Sequence, residues 1–510
     1  MDPLSSRLIE NAVVYPTIRV ASHPGKLLMG VYDPDGYVEG TVLYRRSGEQ
    51  GAPAPRDLFA EPVDAVQPEA IYLGPLYFHY GHFLLESLAR AWYARAHPGV
   101  PLVWAGQYNW QRQELQPWQR DILEALGLTV PTIIADPTRF ERLHVPDIGY
   151  RYDDWLHPEH AEFLACYQGP AQVPGHRLWL SRSKVGSNVR DYNSAPAERR
   201  LVRAGWTVVH PESLSIRQQL DHLARAEVVA GEEGSAFHTL VLLQDITAKK
   251  FLMLRRHGRE HGSMHSIGDV RHVNQSFHTL KRERVLQARG RVVYKINPNA
   301  SEILDVLGVP VPAAREVAPA AGDDAILQQV VRRAEPQSFL DVGALTPHLV
   351  VGSTAPTRVA VSPRFEFDPR TFAASGVDFY ELGITRYAHL FHADRGQFDL
   401  IRIAGADFEQ VMAAFRISKR LAHDGTTWIF GSGELAARAA LAVRLSHPGF
   451  ISRRLVAEAT MVYIVQRVPG EAMTEKRVAT MSAVEVQRRS RWIPPVRVSS
   501  LAARRPGSAD

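Results

Sequence analysis

One cysteine, Cys166, is all that 510 residues contain, so neither an internal disulfide nor a cysteine-built zinc site can form. That scarcity suits a reducing compartment, and Cys166 reads as a small buried apolar residue. No run of about 18 apolar residues exists, which argues against a membrane-spanning helix. The start, Met1-Asp-Pro-Leu-Ser-Ser6, lacks the basic-then-apolar layout of a secretory signal, so a cytoplasmic protein is expected. Charge imbalance is scarce as well: the net charge is +5, and residues 471–510, with eight basic against four acidic residues, carry most of it. A tail holding Arg488, Arg489, Arg491 and Trp492 suits peripheral contact with anionic lipid on the inner membrane face. No base-stacking or groove-entering module accompanies it, which argues against a nucleic-acid partner.

What the chain does have is 45% hydrophobic residues with 9% aromatics, enough for about three cores. From Ile71 onward, short apolar runs alternate with helical periodicity, the order that builds parallel sheets with ligands at the carboxyl ends of their strands. Breaks at Gln172-Val-Pro-Gly175 and across the Pro- and Ala-rich 311–322 divide the chain into lobes at 1–170 and 171–310, a linker at 311–322, a domain at 323–468 and a basic tail at 469–510. The fold class is α/β.

The densest signal is Ala226-Glu-Val-Val-Ala-Gly-Glu-Glu-Gly-Ser-Ala-Phe-His238. Glu227 to Ala230 read as a buried strand, Gly231 and Gly234 as a tight turn, and Ser235 as the cap of a helix beginning near Ala236. Amides at such a helix start attract phosphate. Glu232 and Glu233 would repel a bare phosphate, so they suit sugar hydroxyls or proton transfer instead. Upstream, Ser215-Ile-Arg-Gln218 reads as a capping box.

Two further stretches carry chemistry. Tyr77-Phe-His-Tyr-Gly-His82 leads into an amphipathic helix on which His82, Glu86 and Arg90 recur at i, i+4, with His79 and Tyr80 crowding its start. Leu178-Trp-Leu-Ser-Arg-Ser-Lys184 ends a strand in two cations, with Arg182 suited to a bidentate grip on a diphosphate and Lys184 to a point charge. His257, His261, His265, His272 and His278 lack the i, i+4 spacing of a helical zinc pair, so no metal site is expected.

Taken in order, Gly81-His-Phe-Leu-Leu-Glu86, Ser181-Arg-Ser-Lys184, the helix containing Gln218, and Gly231-Glu-Glu-Gly-Ser-Ala-Phe-His238 resemble the family 61 glycosyltransferases, also called DUF563, over about residues 65–280. The Glu-Glu-Gly-Ser variant looks like the bacterial, capsule-type branch. The resemblance implies a GT-B-like pair of Rossmann-type lobes and inverting transfer from a nucleotide sugar to a glycan or lipid-linked glycan, with no obligatory metal and no cofactor. It sets Glu86, His82 and Glu233 as candidate base, and Arg182, Lys184, Gly231, Glu232, Gly234, Ser235 and His238 on the donor. His79, Tyr80 and Arg90 fall to the acceptor. Residues 323–468 resemble a class I S-adenosylmethionine-dependent methyltransferase, with Ala344-Leu-Thr-Pro-His348 in place of the repeated glycines after Gly343. A degenerate domain is therefore expected. A catalytically silent scaffold, or a methyltransferase acting on the glycan, are the alternatives.

Overall fold

The structure, a computed structural model, describes residues 1–19, 27–42, 44–45, 48–49, 51–55, 66–108, 114–185, 194–255, 262–280, 284–288, 291–296, 300–312, 323–391, 397–447, 450–457, 460–467 and 495–496. The chain forms two compact units, Met1–Val189 with Leu201–Leu280, and Arg190–Arg200 with Lys281–Asp510. The class is mixed α/β. Nearly all of the expected tail, and most of the expected linker, lie outside the described residues.

In the first unit one sheet runs in the order Gly51–Pro53, Leu27–Tyr32, Ser6–Arg19, Thr138–Pro146, Val66–Pro75, Leu102–Ala105, Thr132–Ile134. The last four strands are parallel, and the long first strand pairs antiparallel with both of its neighbours. The N-terminal segment, upstream of the α/β pattern read from Ile71 onward, thus supplies a 14-residue strand to this sheet. Its alternation is visible only between Ala12 and Val14, because the remainder is polar or continuously apolar.

The second sheet is wholly parallel: Trp206–Val209, Arg177–Leu180, Val228–Glu232, Lys250–Arg255, Asn274–Thr279. Among the connections stands the helix Ile216–Arg225, opened by the expected capping box, with Ser215 and Gln218 each bonding the other's backbone amide. Fully buried Phe83, Trp104, Leu178, Phe237 and Leu240 belong to one core. Each such side chain contributes about 1.5–3 kcal/mol by leaving water, which fixes the loops carried on these elements.

In the second unit the strands run Asp378–Glu381, Thr357–Ser362, Ser338–Val342, Phe398–Ile403, Ala422–Ser432, Thr460–Arg467, Phe450–Ala457, Pro495–Val496. The first five are parallel, and Thr460–Arg467 runs antiparallel between its neighbours. This is a doubly wound sheet whose order reverses at Ser338–Val342. No helix among the described residues is long and apolar enough to cross a membrane.

Candidate functional site

The amphipathic helix expected from His82 onward is broken in three. Tyr80–His82 is a helical turn, Phe83–Ser87 is a π-turn, and Ala91–Ala96 is a 3-10 helix. π-Turns recur at functional sites because the extra residue re-aims side chains. One pair of the expected stripe survives: His82 Nδ1 is hydrogen-bonded to the Glu86 carboxylate, with Glu86 side chain 2% and His82 25% exposed. With that carboxylate ionised, Nδ1–H donates and Nε2 is the basic nitrogen. The His82 ring is flanked by Tyr77 at 5.5 Å, Tyr152 at 5.3 Å and His79 at 4.9 Å between centroids.

Arg90 leaves the stripe. It is buried, donating from Nη1 to Pro146 O (2.7 Å) and from Nη2 to Gly40 O (2.6 Å), with its guanidinium over the Tyr72 ring. Burial lowers its pKa and pushes the Tyr72 hydroxyl up to about 12. Tyr80 also turns inward, its hydroxyl 2.6 Å from Thr239 Oγ1 and its ring 5.2 Å from Trp118. Both hold structure together where the sequence suggested acceptor contact.

At the carboxyl end of the central strand of the parallel sheet, the strand extends through Gly231 to Glu232, so the turn begins later than expected. Ser235 does not cap the helix that follows: Ser235–Leu242 is a 3-10 helix with Gly234 before it and no side-chain cap. The glycines serve close approach. A Cβ on Gly231 would lie 2.6 Å from Leu180 O, and one on Gly234 would lie 2.2 Å from Arg182 Nη1. A Cβ on Gly81 would lie 2.7 Å from His238 Nδ1. Glycine at 234 and 81 thus lets the Arg182 guanidinium and the His238 ring cross the backbone.

These residues share one cavity of about 150 Å³, lined by His79, Gly81, His82, Tyr152, Arg182, Glu233, Gly234, Ser235, His238, Ser263 and Met264. Of the residues singled out from sequence, it gathers His79, His82, Arg182, Glu233, Gly234, Ser235 and His238. Glu86 stands behind His82, and Lys184 is exposed and is not among the lining residues. Gly231 and Glu232 lie on the strand leading to it, with Glu232 buried. The His79 pKa is lowered by burial first, then by His82 and Arg182, so this ring is neutral near pH 7.

Sequence reasoning missed Tyr152, Ser263 and Met264. Tyr150 donates to Ser263 Oγ at 2.7 Å, and the Asp153 carboxylate accepts from Ser263 N and Oγ, both at 3.1 Å. A short hairpin, Tyr150–Arg151 with Trp155–Leu156, thereby fastens to the start of the helix Gly262–Arg271. The alternation Tyr-Arg-Tyr followed by Asp153, which has φ +57°, is the signal that marks this hairpin. Among the described histidines beyond the cavity, His265 packs on Phe277 with ring centroids 4.7 Å apart. His257 and His261 lie outside the described residues. Among the described residues no group of three or more His, Cys, Asp or Glu is placed to hold a metal ion.

In the second unit, Gly343 has φ +80°, and a Cβ there would lie 2.2 Å from Ala404 O, so glycine is required. The preceding Asp341 is 1% exposed and takes Arg402 Nη1 at 2.9 Å from the next strand. Burial raises its pKa against the pull of Arg402. Glu381, at another strand end, is bound by Arg199 at 2.5 Å and Arg200 at 2.6 Å, and accepts the Phe365 amide.

Among solved structures, the chain is similar to the O-methyltransferase from Bacillus cereus, at 16% identity over 33% of this chain and 89% of that one, TM-score 0.23. It is also similar to the O-methyltransferase TomG from Streptomyces achromogenes, at 14% identity over 33% of this chain and 87% of that one, TM-score 0.24. At such TM-scores the likeness carries no functional weight. No curated protein was found to match. Residues 80–249, which supply eight of the eleven residues around the cavity, match the Glycosyltransferase 61 family.

Proposed function

We propose that the first unit is an inverting, metal-independent glycosyltransferase that uses a nucleotide sugar. The observation that carries the reading is the His82–Glu86 pair facing Arg182 and Glu233 across one cavity, inside the segment that matches the family. His82 Nε2 takes the proton of the acceptor hydroxyl as that oxygen bonds to the anomeric carbon. The bond from that carbon to the donor phosphate breaks, and its electron pair leaves with the diphosphate. Glu86, buried and hydrogen-bonded to Nδ1, holds the ring in the basic tautomer and stabilises the imidazolium. Arg182 takes the charge that develops on the diphosphate, and His238 adds a hydrogen bond there. This assigns the base to His82, with Glu86 as its positioning residue and Glu233 on the sugar hydroxyls. At about 30 Å³ per water, the cavity holds the equivalent of about five waters, the scale of the reacting sugar and not of the whole donor.

Lobes at 1–170 and 171–310 in a GT-B-type arrangement would present acceptor and donor respectively. The acceptor is a glycan or lipid-linked glycan of capsular or exopolysaccharide type, elongated in the cytoplasm beside the membrane. The test is a thermal-shift screen of the full chain against UDP-, GDP-, CMP- and dTDP-sugars and S-adenosylmethionine. A ligand at 100 times its Kd adds about 2.7 kcal/mol. Stabilisation by one nucleotide sugar, lost in Arg182→Ala, is the expected outcome. A flat response to every nucleotide sugar would sink the reading.

A further inference from the structure

The hairpin that borders the cleft has two faces. Side chains alternate along a strand, and Tyr152 lines the catalytic cavity while Tyr150 is buried against Ser263. Arg151 and Trp155 stand opposite one another in register and line a separate groove of about 560 Å³. That volume falls within the roughly 300–1,000 Å³ of ligand pockets. Its floor is built and fixed. Arg90 is 4% exposed and anchored on two carbonyls, and His157 is 5% exposed with Nε2 donating to Asp2 O and Nδ1 accepting from Glu159 N. The Asp147 carboxylate accepts from the Ser5 amide at 2.9 Å and the Ser5 hydroxyl at 2.6 Å.

On this floor the partly buried Trp155 indole offers a flat apolar plane. Arg7, Arg151, Asp2 and Asp147 line the same groove, with Arg7 also donating to Glu39 O and Arg151 Nε 3.3 Å from the Asp154 carboxylate. An apolar plane suits the C–H face of a sugar ring, and planar forks of both signs suit vicinal hydroxyls. Arg7, Arg90 and Arg151 stand beside Asp2 and Asp147 in the lining, so the groove presents both signs of charge and suits hydroxyls better than a ligand of a single charge. We propose that this groove is a second carbohydrate site, holding an uncharged stretch of glycan chain apart from the transfer cleft. The choice of glycan rests on the glycosyltransferase reading, whereas the groove stands on its own residues.

Calorimetric titration of the full chain with hexasaccharides of glucose, galactose, mannose and N-acetylglucosamine, and with hexagalacturonate, tests it. At least one neutral hexamer should bind, and Trp155→Ala and Arg151→Ala should each weaken it tenfold or more. Trp155→Phe should retain binding, and all three variants should keep the nucleotide-sugar thermal shift. Absence of binding by every neutral hexamer, binding indifferent to both alanine substitutions, or tighter binding of hexagalacturonate would each overturn the proposal. A nucleotide-sugar shift without hexamer binding removes the groove and leaves the cleft. Hexamer binding lost in Trp155→Ala, without any nucleotide-sugar shift, does the reverse.

Discussion

The parallel sheet of the first unit and the doubly wound sheet of the second both carry acidic residues within two positions of a glycine near the carboxyl end of a strand, and they use them in opposite ways. In the first, Glu233 and Gly234 border a cavity, and the missing Cβ of Gly234 lets Arg182 lie across the turn. In the second, Asp341 is closed off against Arg402, Glu381 is held by Arg199 and Arg200, and Gly343 packs against Ala404. Arg182 lines the cavity of the first unit, and Arg402, Arg199 and Arg200 are bound to buried carboxylates in the second.

The largest expected effect comes from the cleft. His82→Ala should lower turnover by roughly 10²–10⁴-fold while leaving the nucleotide-sugar thermal shift in place. Glu86→Gln should lower it less and move the pH–rate profile, since it alters the tautomer and basicity of His82 without removing the ring. An unchanged profile in Glu86→Gln would show that the two side chains are not coupled.

On the other side of the comparison, Asp341→Ala leaves the Arg402 guanidinium without its carboxylate and should cost the second unit about 3–5 kcal/mol, measured by denaturant unfolding. The double change Asp341→Leu with Arg402→Leu should recover most of that loss, since a well-packed apolar pair replaces a desolvated ionic one. Donor binding in the first unit should respond to neither. A loss of donor binding in Asp341→Ala would break the division between the two sheets.

A smaller effect is expected from Gly234→Ala. The added methyl displaces the Arg182 guanidinium, and donor affinity should fall about tenfold, or ~1.4 kcal/mol. Because Gly234 has φ 175°, extended backbone open to any residue, the loss reports crowding and not backbone strain.

That glycine illustrates what the sequence made legible. The capping box at Ser215 and the strand ending at Leu180 follow local rules and stand where those rules put them. The clustering of His79, His82, Arg182, Glu233 and His238 was legible as ordered motifs, because each sits at the end of a recognisable element. The π-turn at Phe83–Ser87 was not, since nothing in Phe-Leu-Leu-Glu-Ser departs from α-helical periodicity. Arg90 leaves the expected stripe for that reason: one inserted residue carries it onto the carbonyls of Gly40 and Pro146. Tyr152 and Met264 escaped because they are brought to the cleft by long-range packing of the hairpin on the helix from Gly262, to which no local pattern points.

The two units should also part company in acid. His160 in the first is fully buried, and burial, followed by repulsion from His157, holds its pKa down to about 3 against an ordinary value of 6.5. The unfolded chain then binds a proton that the folded chain refuses, so stability rises with pH between about 3 and 6.5 and is lost as pH falls through that window. The cost is about 1.4 kcal/mol at pH 5.5 and about 2.7 kcal/mol at pH 4.5. His79, also lowered, adds to it with the same sign. Asp341 in the second unit is raised above its ordinary 3.8, so in the window above 3.8 the folded form binds the proton more readily. Acidification there adds stability. Calorimetric scans from pH 7 to 5 should show one transition falling while the other holds or rises, and His160→Phe should flatten the first without touching the second. A parallel fall of both transitions would mean that the two sheets do not differ in how they bury charge.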